Sequence, residues 1–309
     1  MNKKLHGILA ALVTPMTADD QVDPGVLARN ADWLIRAGVH GLIPLGSTGE
    51  YYALTAAERG MVLETALASA AGRVPVLAGA NAGSTHEVIA YARQAEQLGA
   101  AGVLLAPPYY SLPTLDELYA HFRAVNDALG IPIMLYNYPA RTGVDMPPDF
   151  IARLTELSNV RYVKESTGEM ARITTLIRTC GDRLGVFCGC DTLALESFMV
   201  GAAGWVGGVA NVLPREHAQL YALAVERRDY AAARALFFRM LPVLELFEGG
   251  GKYTQYVKAA CGLVGHPVGP PRPPLRPATP AERARLRAAL GRLAAKPASG
   301  RRRPPRRAT

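Results

Sequence analysis

The sequence predicts an α/β fold: eight parallel strands, each followed by a helix, closed into a (β/α)8 TIM barrel with a small C-terminal helical domain. Three observations predict it. Short apolar runs recur along the chain in units of about 25–30 residues. Amphipathic stretches of helical period separate them. Polar segments rich in hydroxyl, phenol and cationic side chains follow three of the runs, which is where such a barrel carries its chemistry. The 309 residues suffice for one barrel and an appendage.

In order, the strand candidates lie near residues 7–13, 41–45, 74–78, 101–106, 131–136, 160–164, 185–189 and 204–208. Helical stretches between them include Pro24 to Ala37, Thr55 to Ala71 and Ser84 to Leu98, and Thr55 is a good N-cap residue. The barrel is assigned to residues 1–213. From 214 to 264 the sequence reads as consecutive helices rich in alanine, leucine and aromatics. A proline-rich connector, Pro267 to Pro280, leads to a last helix, Ala281 to Ala295, so the helical domain spans 214–295.

Residues 296–309 are expected to be a disordered basic tail. Lys296, Arg301, Arg302, Arg303, Arg306 and Arg307 supply six of the eight net positive charges, leaving the rest of the chain at +2. The tail has no aromatics to stack on bases and no supporting element, so a solvated tail is favoured over a nucleic-acid-binding one.

Composition fits a cytoplasmic enzyme. Half the residues are apolar and the mean hydropathy is near zero. No apolar run approaches the roughly 18 residues of a membrane span, and no apolar signal core follows Lys3 and Lys4. Cys180, Cys188, Cys190 and Cys261 lack the paired spacing of a zinc or redox site and are expected to be free, mostly buried thiols. No metal site is expected.

Three segments carry the candidate chemistry. In Val160-Arg161-Tyr162-Val163-Lys164-Glu165-Ser166, alternation puts Tyr162 and Lys164 on one strand face. Burial there disfavours the ammonium and exposes an amine able to form a Schiff base with a keto acid. In Gly46-Ser47-Thr48-Gly49-Glu50, glycines flank a Ser-Thr pair whose N–H groups and hydroxyls suit a carboxylate. In Tyr136-Asn137-Tyr138-Pro139-Ala140-Arg141-Thr142-Gly143, a phenol able to pass protons precedes an arginine able to clamp a carboxylate. Each segment also has an ordinary structural reading. Lys164 could snorkel or pair with Glu165, the glycine segment could be a plain turn, and Tyr136 could be core beside a solvated Arg141.

Together with Ala11-Leu12-Val13-Thr14-Pro15 and Pro108-Tyr109-Tyr110, these motifs are similar to those of the dihydrodipicolinate synthase/N-acetylneuraminate lyase family of pyruvate-dependent class I aldolases. The resemblance covers roughly residues 5–295. It implies a covalent imine on Lys164, no other cofactor, and Tyr136 as acid/base. It also implies a proton relay completed by Ser47 and by Tyr110, the latter lent across a tight dimer interface. Thr48, with the flanking Gly46 and Gly49, would hold the pyruvate carboxylate. Val206 would turn its carbonyl toward the pyruvyl group, and Arg141 would hold the second substrate's carboxylate. A homotetramer built as a dimer of dimers follows from the same resemblance.

The departures have consequences. Thr192 stands where sialate lyases carry an acid, and Arg141 is present where they generally lack it, so sialic acid is disfavoured. Ser111-Leu112-Pro113 replaces the asparagine and basic residue of typical synthases. Ala56, Arg59 and Gly83 replace positions of a lysine feedback site, although Tyr109 and Glu87 match, implying weak or absent lysine inhibition. The expected reaction is condensation of pyruvate with L-aspartate-4-semialdehyde to 4-hydroxy-tetrahydrodipicolinate, in lysine biosynthesis. A 2-keto-3-deoxy sugar acid aldolase, or a dehydratase or deaminase using the same imine, remains open. A catalytically silent barrel with a binding tail would require damaged site positions, and they are intact.

Overall fold

The computed structural model describes residues 4–295, so the tail assigned to 296–309 lies outside the described residues. Eight strands form one parallel sheet: β1 (Gly7–Ala11), β2 (Gly41–Ile43), β3 (Leu77–Gly79), β4 (Gly102–Leu105), β5 (Ile133–Asn137), β6 (Val160–Glu165), β7 (Gly185–Cys188) and β8 (Gly204–Gly207). β1 pairs with both β2 and β8. The last seam, between β2 and β3, is closed by the bridge Leu42↔Val76 and by Leu42 N donating to Pro75 O at 3.0 Å. This is the expected barrel.

The thin seam has a local cause. Pro44 cannot donate to a ladder and Leu45 turns into the left-handed region at φ 62°, so β2 stops after three residues. Pro75 likewise delays β3 to Leu77, later than the run near 74–78 suggests.

The helices alternate with the strands: α1 (Pro24–Arg36), α2 (Ala56–Ala70), α3 (Thr85–Gln97), α4 (Leu115–Asp127), the one-turn α5 (Pro139–Thr142), α6 (Pro148–Leu154), α7 (Met170–Cys180) and α8 (Ala194–Met199). After β8 come α9 (Pro214–Tyr221), α10 (Tyr230–Gly249), α11 (Tyr253–Leu263) and α12 (Pro280–Ala294). Capping explains their starts. Thr55, Thr114 and Thr279 each accept the N–H of a glutamate three residues on, and that glutamate returns a bond to the threonine N–H. α9 packs on β1 and completes the eighth strand–helix unit. On α12 the apolar residues Leu286, Ala289 and Leu293 are buried, while Arg283, Arg285, Arg287 and Arg292 face solvent.

Strand alternation divides the core in two. Leu9, Ile43, Leu77, Leu104, Met134, Tyr162, Phe187 and Val206 fill the barrel interior. Their neighbours Ile8, Ala10, Val103, Leu135 and Val163 face the helices. Strands buried on both faces read as continuous apolar runs, which is why the periodicity of β1 or β4 alone did not reveal a face. No helix among the described residues is long and apolar enough to cross a membrane.

Candidate active site

Lys164 projects from the upper end of β6 into the barrel, on the face it shares with Tyr162, as alternation required. It is 7% exposed. Its amine lies 4.3 Å from the centroid of the Tyr136 ring, and the two residues are register partners across β5 and β6. Pairing with Glu165 does not occur. Glu165 faces the other way, accepting from Asn137 Nδ2 at 3.1 Å and Thr167 N at 2.8 Å, and burial raises its carboxyl above the usual range. Gly189 makes room for the lysine, because a Cβ there would stand 2.9 Å from Lys164 Cε and 1.8 Å from Ser166 Oγ.

The other buried lysine among the described residues is already occupied. Lys258 forms a buried ion pair with Glu50 and donates to Pro270 O at 2.8 Å. Lys164 has no carboxylate partner among the described residues. A free amine beside a phenol is what imine chemistry requires.

The glycine segment is a tight turn, Ser47–Gly49, bracketed by Leu45 at φ 62° and Glu50 at φ 55°. Two non-glycine residues in the left-handed region are costly and persist because the surroundings over-determine them. Glu50 is held by Lys258 and by Arg272 N at 2.8 Å, and Gly49 O accepts from Thr14 Oγ1 at 2.7 Å. Gly49 must be glycine, since a Cβ would meet Leu12 O at 2.8 Å. Ser47 and Thr48 open the turn, where backbone N–H groups have no partner within it. The turn brings Ser47 Oγ to 3.4 Å from Tyr136 Oη.

Above this lies a cleft of about 320 Å³ lined by Ser47, Tyr136, Arg141 and the aromatics Tyr51, Tyr52 and Tyr138. Arg141, on α5, stacks its guanidinium 5.4 Å from the centre of the Tyr138 ring at the mouth. Burial raises the Tyr51 and Tyr138 hydroxyls above the usual phenol range. The loop carrying Arg141 is anchored where Asn137 Nδ2 donates to Asp145 at 3.1 Å, and Arg172 clamps Asp145 with two bonds of 2.8 and 2.7 Å.

Tyr110 is not in this cleft. It is 97% exposed, at φ 76°, and only its neighbour Tyr109 lines the cavity. Val206 and Thr48 are buried, Val206 within the barrel interior. All four cysteines are free thiols, three of them buried. Thr192 donates its hydroxyl to Glu248 Oε2 at 2.6 Å, so it is committed to α10.

Tyr253 was not evident from the sequence. It opens α11, yet its hydroxyl accepts from Gly208 N at 3.0 Å and Val209 N at 3.2 Å, just beyond β8, and donates to Asp191. Asp191 Oδ1 accepts from Trp205 Nε1 at 2.9 Å. Burial, with the charge of Glu248 beside it, raises the Asp191 carboxyl. No local pattern marks Tyr253, because its partners lie 44 and more residues away.

Comparisons with known proteins find relatives along nearly the whole chain. The family model described as the dihydrodipicolinate synthetase family matches residues 4–293. The 4-hydroxy-tetrahydrodipicolinate synthase of Syntrophobacter fumaroxidans is 40% identical over 284 residues, 91% of this chain and 96% of that protein. The enzyme of the same name from Methylobacterium radiotolerans is 42% identical over 277 residues, covering 89% and 91%. The crystal structure of dihydrodipicolinate synthase from Acinetobacter baumannii complexed with pyruvate superposes with a TM-score of 0.87 at 32% identity, covering 93% of this chain and 98% of that one.

Proposed function

Since the chain belongs to the dihydrodipicolinate synthetase family and is a lyase of that family, we propose that it condenses pyruvate with L-aspartate-4-semialdehyde to give 4-hydroxy-tetrahydrodipicolinate. The observation that carries this is the triangle of Lys164, Tyr136 and Ser47: a buried amine 4.3 Å from a phenol ring whose hydroxyl reaches a serine at 3.4 Å.

The Lys164 amine attacks the pyruvate ketone, and loss of water leaves an imine. Tyr136 delivers and removes the protons of that step, with Ser47 as the next group in the relay. Once protonated, the imine draws electrons from the methyl carbon, which loses a proton to become an enamine. That carbon attacks the aldehyde carbon of the second substrate, whose oxygen takes a proton to become the 4-hydroxyl. The substrate's own amine then adds to the imine carbon, closing the ring and expelling the Lys164 amine. Thr48 and the N–H groups of the 46–49 turn hold the pyruvate carboxylate, and Val206, on β8, turns its backbone carbonyl toward the pyruvyl group. Arg141, at the mouth, is placed for the carboxylate of the aldehyde. The imine is the only electron sink this sequence of steps needs, so no metal or organic cofactor is invoked.

Exposure of Tyr110 supports a relay completed between subunits, in a dimer or a dimer of dimers. A phenol that points away from its own cleft is available to another copy's. The reading also places the enzyme in the cytoplasm, on a lysine-forming route. Its test is a substrate panel. Consumption of pyruvate in the presence of L-aspartate-4-semialdehyde supports it. Release of pyruvate from 2-keto-3-deoxy sugar acids, without that condensation, replaces it with the cleavage reaction.

A further inference from the structure

Gly208 is where the C-terminal helices touch the substrate wall. A Cβ at Gly208 would stand 2.6 Å from Tyr253 Cε1 and 3.0 Å from both Cγ2 and Oγ1 of Thr48. Thr48, the loop after β8 and the Tyr253 ring are thus packed in series with no slack. Tyr253 also bonds that loop directly, accepting the N–H groups of Gly208 and Val209. Its proton goes to Asp191, at the end of β7, and Asp191 in turn takes Trp205 Nε1–H from β8. One phenol therefore joins the ends of two strands to the side of the turn that carries Thr48. Phe247 of α10 seats the ring from behind, edge-on at 6.2 Å between centroids.

We infer that Tyr253 is a positioning residue for the keto-acid subsite, fixing the distance between Thr48 and the end of β8 on which the fit of pyruvate depends. This rests on the reading that Lys164 takes pyruvate. The hydroxyl is the part that matters. Without it, two backbone N–H groups and one carboxylate oxygen lose their partner, and the loop after β8 loses its tie to α11. Small displacements of a positioning wall weaken substrate fit without touching the reacting atoms. Tyr256, three residues on, serves as an internal control. Its hydroxyl donates to Glu282 Oε1 at 3.2 Å, so it bonds α12 instead of the barrel.

The test measures the pyruvate concentration that gives half-maximal borohydride-trapped adduct on Lys164 in the full-length wild type, Tyr253→Phe and Tyr256→Phe. The expected result is a rise of about ten-fold for Tyr253→Phe, the order of effect of unpairing a buried polar group. The adduct at saturating pyruvate should stay near wild type, the Tm should fall by about 2–8 °C with the fold retained, and Tyr256→Phe should leave half-saturation unchanged. Asp191→Asn provides a second variant. Its amide nitrogen must face either the Trp205 or the Tyr253 donor, so half-saturation should rise here as well. Wild-type half-saturation in Tyr253→Phe overturns the inference, as does an equal rise in Tyr256→Phe. If the wild type traps no pyruvate, the underlying reading fails and takes the inference with it.

Discussion

Lys164 and Tyr136 are register partners on adjacent strands, and the lysine amine lies over the tyrosine ring, 4.3 Å from its centroid. The pairing separates two contributions of Tyr136. Its ring packs beside the amine, and its hydroxyl meets Ser47. Tyr136→Phe keeps the first and deletes the second. Turnover should fall by about 10²–10⁴-fold, the usual share of a positioned acid/base. Thermal stability should change little, so a drop in Tm matching the loss of activity would assign Tyr136 to packing.

Gly208 tests the tightness of the Thr48 wall from the opposite direction. Its backbone is right-handed, at φ −78°, so alanine there is strained only by contact. Gly208→Ala must displace Thr48 or Tyr253. Overpacking of this kind costs about 1–3 kcal/mol. The Tm should fall, and the pyruvate needed for half-maximal turnover should rise. Calorimetry and steady-state kinetics on one preparation check both.

A pH prediction follows from His217. It stacks on Trp205 at 3.9 Å and its Nδ1 donates to Leu213 O at 2.7 Å, while burial lowers its pKa to about 3. Between the unfolded value of about 6.5 and that folded value, only the unfolded chain binds the proton. Stability from this site is therefore intact above pH 6.5 and lost at about 1.4 kcal/mol per unit as pH falls. The raised Asp191 carboxyl pulls the opposite way, because the folded state holds its proton longer. A difference measurement removes that opposition. His217→Phe keeps a stacked ring but no titration, so the wild type's stability relative to this variant should decline by about 1.4 kcal/mol per unit from pH 6 to 4. A pH-independent difference in denaturant titrations would contradict a neutral, buried His217.

Tyr110 tests assembly. Tyr110→Phe and Lys164→Ala should each be nearly inactive. If the phenol is lent across an interface, denaturing the two together and refolding them restores some composite sites with both residues intact. Mixed dimers that form yet regain no activity would place Tyr110 in its own chain's chemistry or in packing alone.

The site's residues were legible in the sequence to the extent that they are local. Lys164 was conspicuous as a lone cation in an apolar strand, and β6 places it by simple alternation. Ser47 follows a recognisable strand and Tyr136 lies near the end of one, and the barrel brings the strand ends together. Arg141 reads from its motif, although its place at the mouth depends on Asn137, Asp145 and Arg172. Nothing local announced Tyr253, whose three partners sit just beyond the ends of β7 and β8. The same holds for Tyr51 and Tyr52, whose places in the cleft depend on the left-handed turn at Glu50. β2 is shorter than its apolar run, because apolarity continues through Pro44 and Leu45 after the ladder has ended.

The most direct test of the account is covalent. Full-length protein is incubated with pyruvate and borohydride, digested, and its lysine peptides are weighed. One reduced pyruvyl group on Lys164, absent in Lys164→Ala, is the expected result. An adduct on Lys252, which is paired with Glu282 at 2.7 Å, or on Lys258, which is paired with Glu50, would contradict it. So would a chain that carries no adduct at all.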